Sequence, residues 1–239
     1  FFLCEEIIAG GWGEMMLILL LSTLLCLCAS AYQATTIPPL IDVPTFSLST
    51  SSGGDDASTS SSTMNILTYA SPVAIKPHRM WSISLYKGTL SHDNFSKEKR
   101  GILQLLRPAH ALCKGDGEGD ASGKLIRVLG GSSGRDVDKQ AMCEELGFAW
   151  KPLECNGETN DNADWPQVLP HCVYYLKLEL VGEMIDCGSH DVALCRVVEM
   201  VSEDDSVYAA DELDYISTQT LREMDIISEF GRIKDKDIE

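Results

Sequence analysis

The sequence predicts a mainly β domain: an antiparallel barrel or sandwich covered by two or three short helices. Three observations carry this. Segments rich in β-branched, aromatic and apolar residues recur at strand length, and there are at least six of them. They follow one another directly, separated by Gly, Pro and Asp breakers rather than by long helical stretches, which favours antiparallel neighbours over βαβ units. The helical signals are confined to short segments.

In chain order, the first strand is expected over Thr45 to Ser52, TFSLSTSS, where apolar and hydroxyl residues alternate. The polar run that follows, Gly53 to Thr63, reads by composition as a flexible linker or as a long hairpin loop. The second is expected, because it returns Asn65 onward against Thr45 to Thr50. The stretch 64–95, MNILTYASPVAIKPHRMWSISLYKGTLSHDNF, holds two strand-like runs, Ile66 to Ala74 and Met80 to Tyr86, broken by Lys76-Pro77-His78. The second run ends in Lys87-Gly88-Thr89-Leu90-Ser91. A cation, two hydroxyls and an uncrowded glycine backbone are the groups needed to hold an anionic oxygen such as a phosphate.

A short polar helix is then expected over Ser96 to Arg100 and a buried strand over Gly101 to Leu106, ended by Pro108. Cys113 to Gly123 is rich in glycine and acid but matches neither a phosphate-loop nor a calcium-loop template, and reads as an insertion. Lys124 to Leu129 predicts one or two helical turns, and Asp136 to Leu146 a helix with Asp136 as N-cap and Gly147 as C-cap. Val168 to Met184 and His190 to Met200 predict two long strands joined as a hairpin through Asp186-Cys187-Gly188-Ser189. Glu203 to Asp214 reads as an acidic surface loop, and Thr220 to Gly231 as a short helix or tail that packs back on the body.

The 239 residues carry a net charge of −17, from 19 basic and 36 acidic residues. Such a balance argues against DNA or RNA as partner, because neutralising phosphates along a nucleic acid needs a basic face. Of nine cysteines, three precede residue 30; Cys113, Cys143, Cys155, Cys172, Cys187 and Cys195 form no CxxC and do not cluster with the histidines. No metal site is expected. Unbridged thiols are favoured over a disulfide framework, which a domain of this size does not need.

At the N-terminus, MLILLLSTLLCLCASA (residues 16–31) is an apolar run closed by Ala29-Ser30-Ala31, a signal-peptide pattern with cleavage before Tyr32. It is shorter than the ~20 residues a membrane span takes, so no stable span is expected in the mature chain; a single anchor is the alternative. No lysine or arginine occurs before Lys76, so the usual positive flank is missing. The residues before Met15 read as leader or as a misassigned start. The junction of ASA with aromatic Tyr32 and a Ser/Thr-rich stretch resembles the bipartite plastid-targeting presequences of algae with complex plastids. That resemblance implies delivery to a plastid, with the secretory pathway as the alternative. The expected organisation is thus a leader and signal-like segment at 1–31, a transit or lead-in segment at 32–44, one domain at 45–232 and a charged tail at 233–239.

Several blocks in order carry a wider resemblance: residues 65–95, GILQLL (101–106), LIRVLGGSSGRDVDKQAMCEELGFAW (125–150), GSHDVALCRVV (188–198) and LREMDIISEFGR (221–232). Together they resemble the flavin reductase-like family, over nearly the whole of 45–232. The resemblance implies the FMN-binding split barrel, an antiparallel split β-barrel with helical cover, usually dimeric. It implies FMN, or FAD, as cofactor and NADH or NADPH as co-substrate, with hydride transfer to flavin or a small acceptor. Carried onto matching positions, Asn65, Thr68, Ala70 and Ser71 would border the isoalloxazine ring. Ser84 and Leu85, then Lys87, Gly88, Thr89 and Ser91, would hold the ribityl chain and phosphate. His190 would sit at the flavin edge near the nicotinamide. The family's G-D-H block stands here as Gly188-Ser189-His190. That departure keeps a second reading open, a split-barrel flavin-binding or partner subunit without turnover. As bare sequence, Thr68, Ser71 and Ser84 also suit plain strand surface, Lys87 a solvated cation and His190 a hydrogen-bonded structural histidine.

Overall fold

A computed structural model describes residues 39–53, 62–112, 123–153, 165–202, 214–229 and 231–234. The chain divides into two compact units, Phe1–Leu40 and Ile41–Glu239, and the second carries the fold. The signal-like segment, the polar run after Gly53, the insertion before Gly123 and the acidic loop near Asp204 lie outside the described residues. Among the described residues no helix is long and apolar enough to cross a membrane.

Eight strands form one antiparallel sheet: β1 (Phe46–Ser51), β2 (Ser62–Leu67), β3 (Ala70–Ala74), β4 (Met80–Tyr86), β5 (Arg100–Leu105), β6 (Tyr175–Leu180), β7 (Ile185–Cys187) and β8 (His190–Val201). Their order is β2-β1-β5-β6-β8-β4-β3, with β7 paired to β8. The expected return of Asn65 onto the first strand is present, with Leu48 opposite Asn65 and Thr50 opposite Thr63. Among the described residues four α-helices, α1 (Leu90–Glu98), α2 (Lys124–Gly131), α3 (Lys139–Glu145) and α4 (Thr218–Glu223), and a 3-10 turn at Pro108–His110 accompany the sheet.

Two apolar clusters explain the layering. Phe46, Leu48, Leu67, Ile83, Leu85, Leu103 and Leu176 fill the barrel interior, closed by Phe95 of α1. The opposite faces of β2, β5 and β6 present Met64, Ile102 and Tyr175 to Leu125, Ile126 and Leu129 of α2 and to Leu221 of α4. Every residue of β1 is therefore buried, because interior and helical cover enclose both of its faces. On the other side of the barrel β3 and β7 stay open, with Val73, Ile75 and Ile185 exposed.

The structure corrects four details. The run Ile66 to Ala74 is two strands, not one. The chain leaves the ladder at Thr68-Tyr69, and β2 and β3 then occupy opposite ends of the sheet. Ser84 N–H donates to the Tyr69 carbonyl at 2.9 Å, so this crossing brings the two ends together and splits the barrel. The first helix begins at Leu90 rather than Ser96, because Thr89 adopts extended backbone and its hydroxyl accepts the His92 N–H at 3.2 Å. The cap of α3 is Asp138 and not Asp136, since the Asp138 carboxylate accepts the Ala141 N–H at 3.1 Å. Finally, of Val168 to Met184 only β6 is strand. Pro170 and left-handed His171 (φ 62°) interrupt it before Tyr175, and Gly182 (φ 76°) ends it. The tight turn at Gly188 (φ 81°), a conformation that favours glycine, joins β8 to the short β7, while β6 pairs with the later half of β8.

Cys143, Cys172, Cys187 and Cys195 carry thiols rather than disulfides, with only Cys187 exposed. Burial pushes the Cys195 thiol up to about 12.

Candidate functional site

The split between the sheet ends opens into a cleft of about 790 Å³. The crossing segment Asn65 to Tyr69 and the end of β4, Ser84 to Tyr86, form one side. Thr89 and Ser91 at the start of α1 add hydroxyls, and Gly130-Gly131 at the end of α2 form the far wall. Ile227, Arg232 and Ile233 of the C-terminal segment close it, and His190 stands at the β7–β8 turn.

Of the residues singled out in the sequence, Asn65, Thr68, Ser84, Leu85, Thr89, Ser91 and His190 line this one cleft. Ala70, Ser71, Lys87 and Gly88 are not among its lining residues. Ala70 packs on the barrel interior, Ser71 is exposed on β3 opposite Ser82, and Gly88 is exposed in the turn before α1.

Lys87 is held elsewhere. Its ammonium lies 2.8 Å from the Asp186 carboxylate and 3.3 Å from Asp191. Hydrogen bonding to Asp186, and then to Asp191, raises the lysine above its ordinary range. The same contact lowers Asp186. Asp191 is lowered by its 2.8 Å bond to His92 and also by Lys87. His92 continues to Asp93 at 3.4 Å, and Asp93 pairs with Arg135. This charged chain fastens the start of α1 to the β7–β8 hairpin, beside the cleft rather than in it.

His190 shares a 3.0 Å hydrogen bond between Nδ1 and the Ser189 hydroxyl. Its ring meets those of Tyr69 and Tyr86 edge-on, at centroid distances of 6.1 and 5.3 Å. Both tyrosines are at least half exposed, so aromatic faces stand open at the mouth.

Several wall residues carried no signal of their own in the sequence. Gly130 and Gly131 are small because of Ile233: a Cβ on Gly130 would meet Ile233 at 3.0 Å and Ile66 at 3.1 Å. Lys139, buried in α3, donates from Nζ to the Met64 carbonyl at 2.9 Å and the Leu129 carbonyl at 2.6 Å. Those carbonyls immediately precede Asn65 and Gly130, so one ammonium pins two walls. Burial lowers this lysine to about 8. A Gly-Gly pair ending an apolar helix, followed by DVDK, is the pattern that could have pointed here; Tyr69 lay within the segment 65–71 expected to border the ring, and Arg232 stood in a resembling block without an assigned role.

The lining holds no carboxylate among the described residues. Apolar side chains, hydroxyls and backbone amides predominate, with no nucleophile–base pair. Such a lining has the groups to bind and orient a ligand rather than to attack it.

No protein-family model matches the sequence, and no curated protein matches it. Solved structures do match the fold. Flavoredoxin from Methanosarcina acetivorans superposes with a TM-score of 0.56 at 11% identity, covering 79% of this chain and 86% of that one. The FMN-binding protein from Thermus thermophilus with bound 1-cyclohex-2-enone gives 0.51 at 16% identity, with 85% and 86% covered. Nitrilotriacetate monooxygenase component B from Mycobacterium thermoresistibile gives 0.50 at 13% identity, with 70% and 72% covered. Element order, the split sheet and these superpositions together establish that the unit Ile41–Glu239 has the split-barrel fold of the flavin reductase and FMN-binding proteins.

Proposed function

We propose that the protein is an FMN-binding oxidoreductase of flavin reductase type, which passes hydride from NADH or NADPH to flavin or a small acceptor. The observation that carries this reading is the cleft at the barrel split: apolar side chains and hydroxyls in one lining, no described carboxylate, and a volume of about 790 Å³ within the range of cofactor sites. Leu48, Ile66, Leu67 and Leu85 offer apolar surface for a fused ring. Thr68, Ser84 and Ser91 offer hydroxyl donors for a ribityl chain and phosphate, next to the positive end of α1, where the Thr89 hydroxyl is engaged as the cap and donates to the Tyr86 carbonyl at 2.9 Å. Bound flavin supplies the hydride-accepting chemistry. His190, flanked by Tyr69 and Tyr86, orients the nicotinamide at the mouth of the cleft. Titration of the purified protein with FMN, followed by addition of NADPH or NADH, tests the proposal. Uptake of FMN and consumption of reduced nicotinamide are expected; a protein that takes up no FMN and leaves both nucleotides unconsumed refutes it.

Ser189 favours a second reading, a flavin-binding partner subunit without turnover. It replaces the acid of the resembling motif and ties its hydroxyl to His190 Nδ1, so the histidine is already engaged. FMN uptake without nicotinamide oxidation selects this reading. Two further parts of the proposal concern context. Homodimerisation is supported by the exposed Val73 and Ile185 on the open strands and Ile75 just past the end of β3, and light scattering tests it. Plastid delivery is supported by the ASA-Tyr32 junction; a fluorescent fusion of residues 1–44 that stays out of plastids refutes it.

A further inference from the structure

We infer that Arg232, and not Lys87, is the cation that receives the anionic group of the ligand in the cleft, a phosphate monoester if that ligand is FMN. The inference rests on the flavin reading and adds to it the residue that distinguishes a phosphorylated ligand from an unphosphorylated one. A phosphate carries close to two negative charges at neutral pH, and the whole chain, at −17, repels it. Binding then needs a local reversal of sign. The cleft supplies one, because its described lining contains no Asp or Glu and includes a guanidinium.

Lys87 lacks the freedom to do this. Asp186 and Asp191 both sit within ion-pair distance of its ammonium, at 2.8 and 3.3 Å, so its charge is already offset twice. Arg232 is in the reverse situation. Its backbone is anchored: the N–H donates to the Ser228 hydroxyl at 3.3 Å, the carbonyl accepts the Ser228 N–H at 2.7 Å, and neighbouring Ile233 bridges to Ile227. The guanidinium has no hydrogen-bond or ion-pair partner among the described residues, whereas those of Arg127, Arg135, Arg196 and Arg222 are bonded to carbonyls, carboxylates or hydroxyls. An anchored backbone with an unspent planar fork suits bidentate capture of a phosphate.

The test compares FMN with riboflavin, which lacks only the phosphate, on wild type, Arg232→Ala, Arg232→Lys and Lys87→Met, with binding read by quenching of flavin fluorescence. Arg232→Ala is expected to weaken FMN about ten- to hundredfold, the loss of a charge-assisted hydrogen-bonded pair, while riboflavin changes by no more than about twofold. Arg232→Lys recovers part of the FMN preference, and Lys87→Met keeps it. Unchanged riboflavin binding by Arg232→Ala shows that the cleft is still folded. The inference is overturned if Arg232→Ala keeps the wild-type preference for FMN, or if Lys87→Met abolishes it. A wild-type protein that binds neither flavin overturns the flavin reading itself, and this assignment with it.

Discussion

Replacing Lys139 by Met removes a buried charge that spans two walls of the cleft, and its effect depends on pH in a direction that can be worked out. Lys139 is 4% exposed and donates to the carbonyls of Met64 and Leu129. Burial lowers its pKa from 10.5 to about 8. Below that value both folded and unfolded chains hold the proton. Between about 8 and 10.5 the folded state has released it and the unfolded state has not, so the unfolded state binds more protons and stability rises with pH. At ~1.36 kcal/mol per pH unit the rise amounts to about 3 kcal/mol. Urea unfolding of wild type and Lys139→Met, near pH 7 and again near pH 10.5, isolates this group from every other titration common to both proteins. The difference in unfolding free energy is expected to move by about 3 kcal/mol in favour of wild type as pH rises. A difference constant to within ~0.5 kcal/mol would show that Lys139 is not a buried, proton-binding strut, and the account of how Asn65 and Gly130 are positioned would fail.

Three further outcomes are expected. The Cys195 thiol, pushed up to about 12, works in the opposite direction: above its ordinary value of 9.0 the unfolded chain loses the proton first. Wild type therefore loses stability relative to Cys195→Ala as pH rises, by about 2 kcal/mol near pH 10.5 in the same urea assay. Thr89→Ala removes the hydroxyl that caps α1 and lines the cleft. It should cost about 1 kcal/mol of stability by denaturation and also weaken FMN binding by fluorescence. Gly130→Ala puts a methyl 3.0 Å from Ile233 and 3.1 Å from Ile66. The helix-propensity gain of ~1 kcal/mol offsets the crowding, so calorimetry should find little change in stability while FMN affinity drops.

Strands with their own hydrophobic signature were legible in the sequence. Thr45 to Ser52, Met80 to Tyr86, Gly101 to Leu106 and His190 to Met200 each alternate or run apolar, and each forms a strand within a residue or two of the expectation. The misreadings share one cause. Thr68-Tyr69 looks no different from the strand residues around it, yet only a closed sheet demands that the chain change edges there. Position 136 offers the same carboxylate as position 138, and only the bond to Ala141 N–H decides between them. The site divided in the same way. Hydroxyls on one contiguous stretch could be grouped by sequence, and Thr68, Ser84, Thr89 and Ser91 do converge. Lys87 could not be judged, because the carboxylates that occupy it come from a hairpin about a hundred residues away. Arg232 reaches the cleft through the packing of Ile233 on Gly130-Gly131, a contact with no trace in local sequence.

The most direct measurement is the visible absorption spectrum of the purified full-length protein, reconstituted with FMN and desalted, before and after addition of NADPH. A flavin spectrum that survives desalting and bleaches with NADPH under anaerobic conditions is the predicted result. A protein that emerges colourless, with FMN recovered unbound, contradicts the assignment of the cleft as a flavin site.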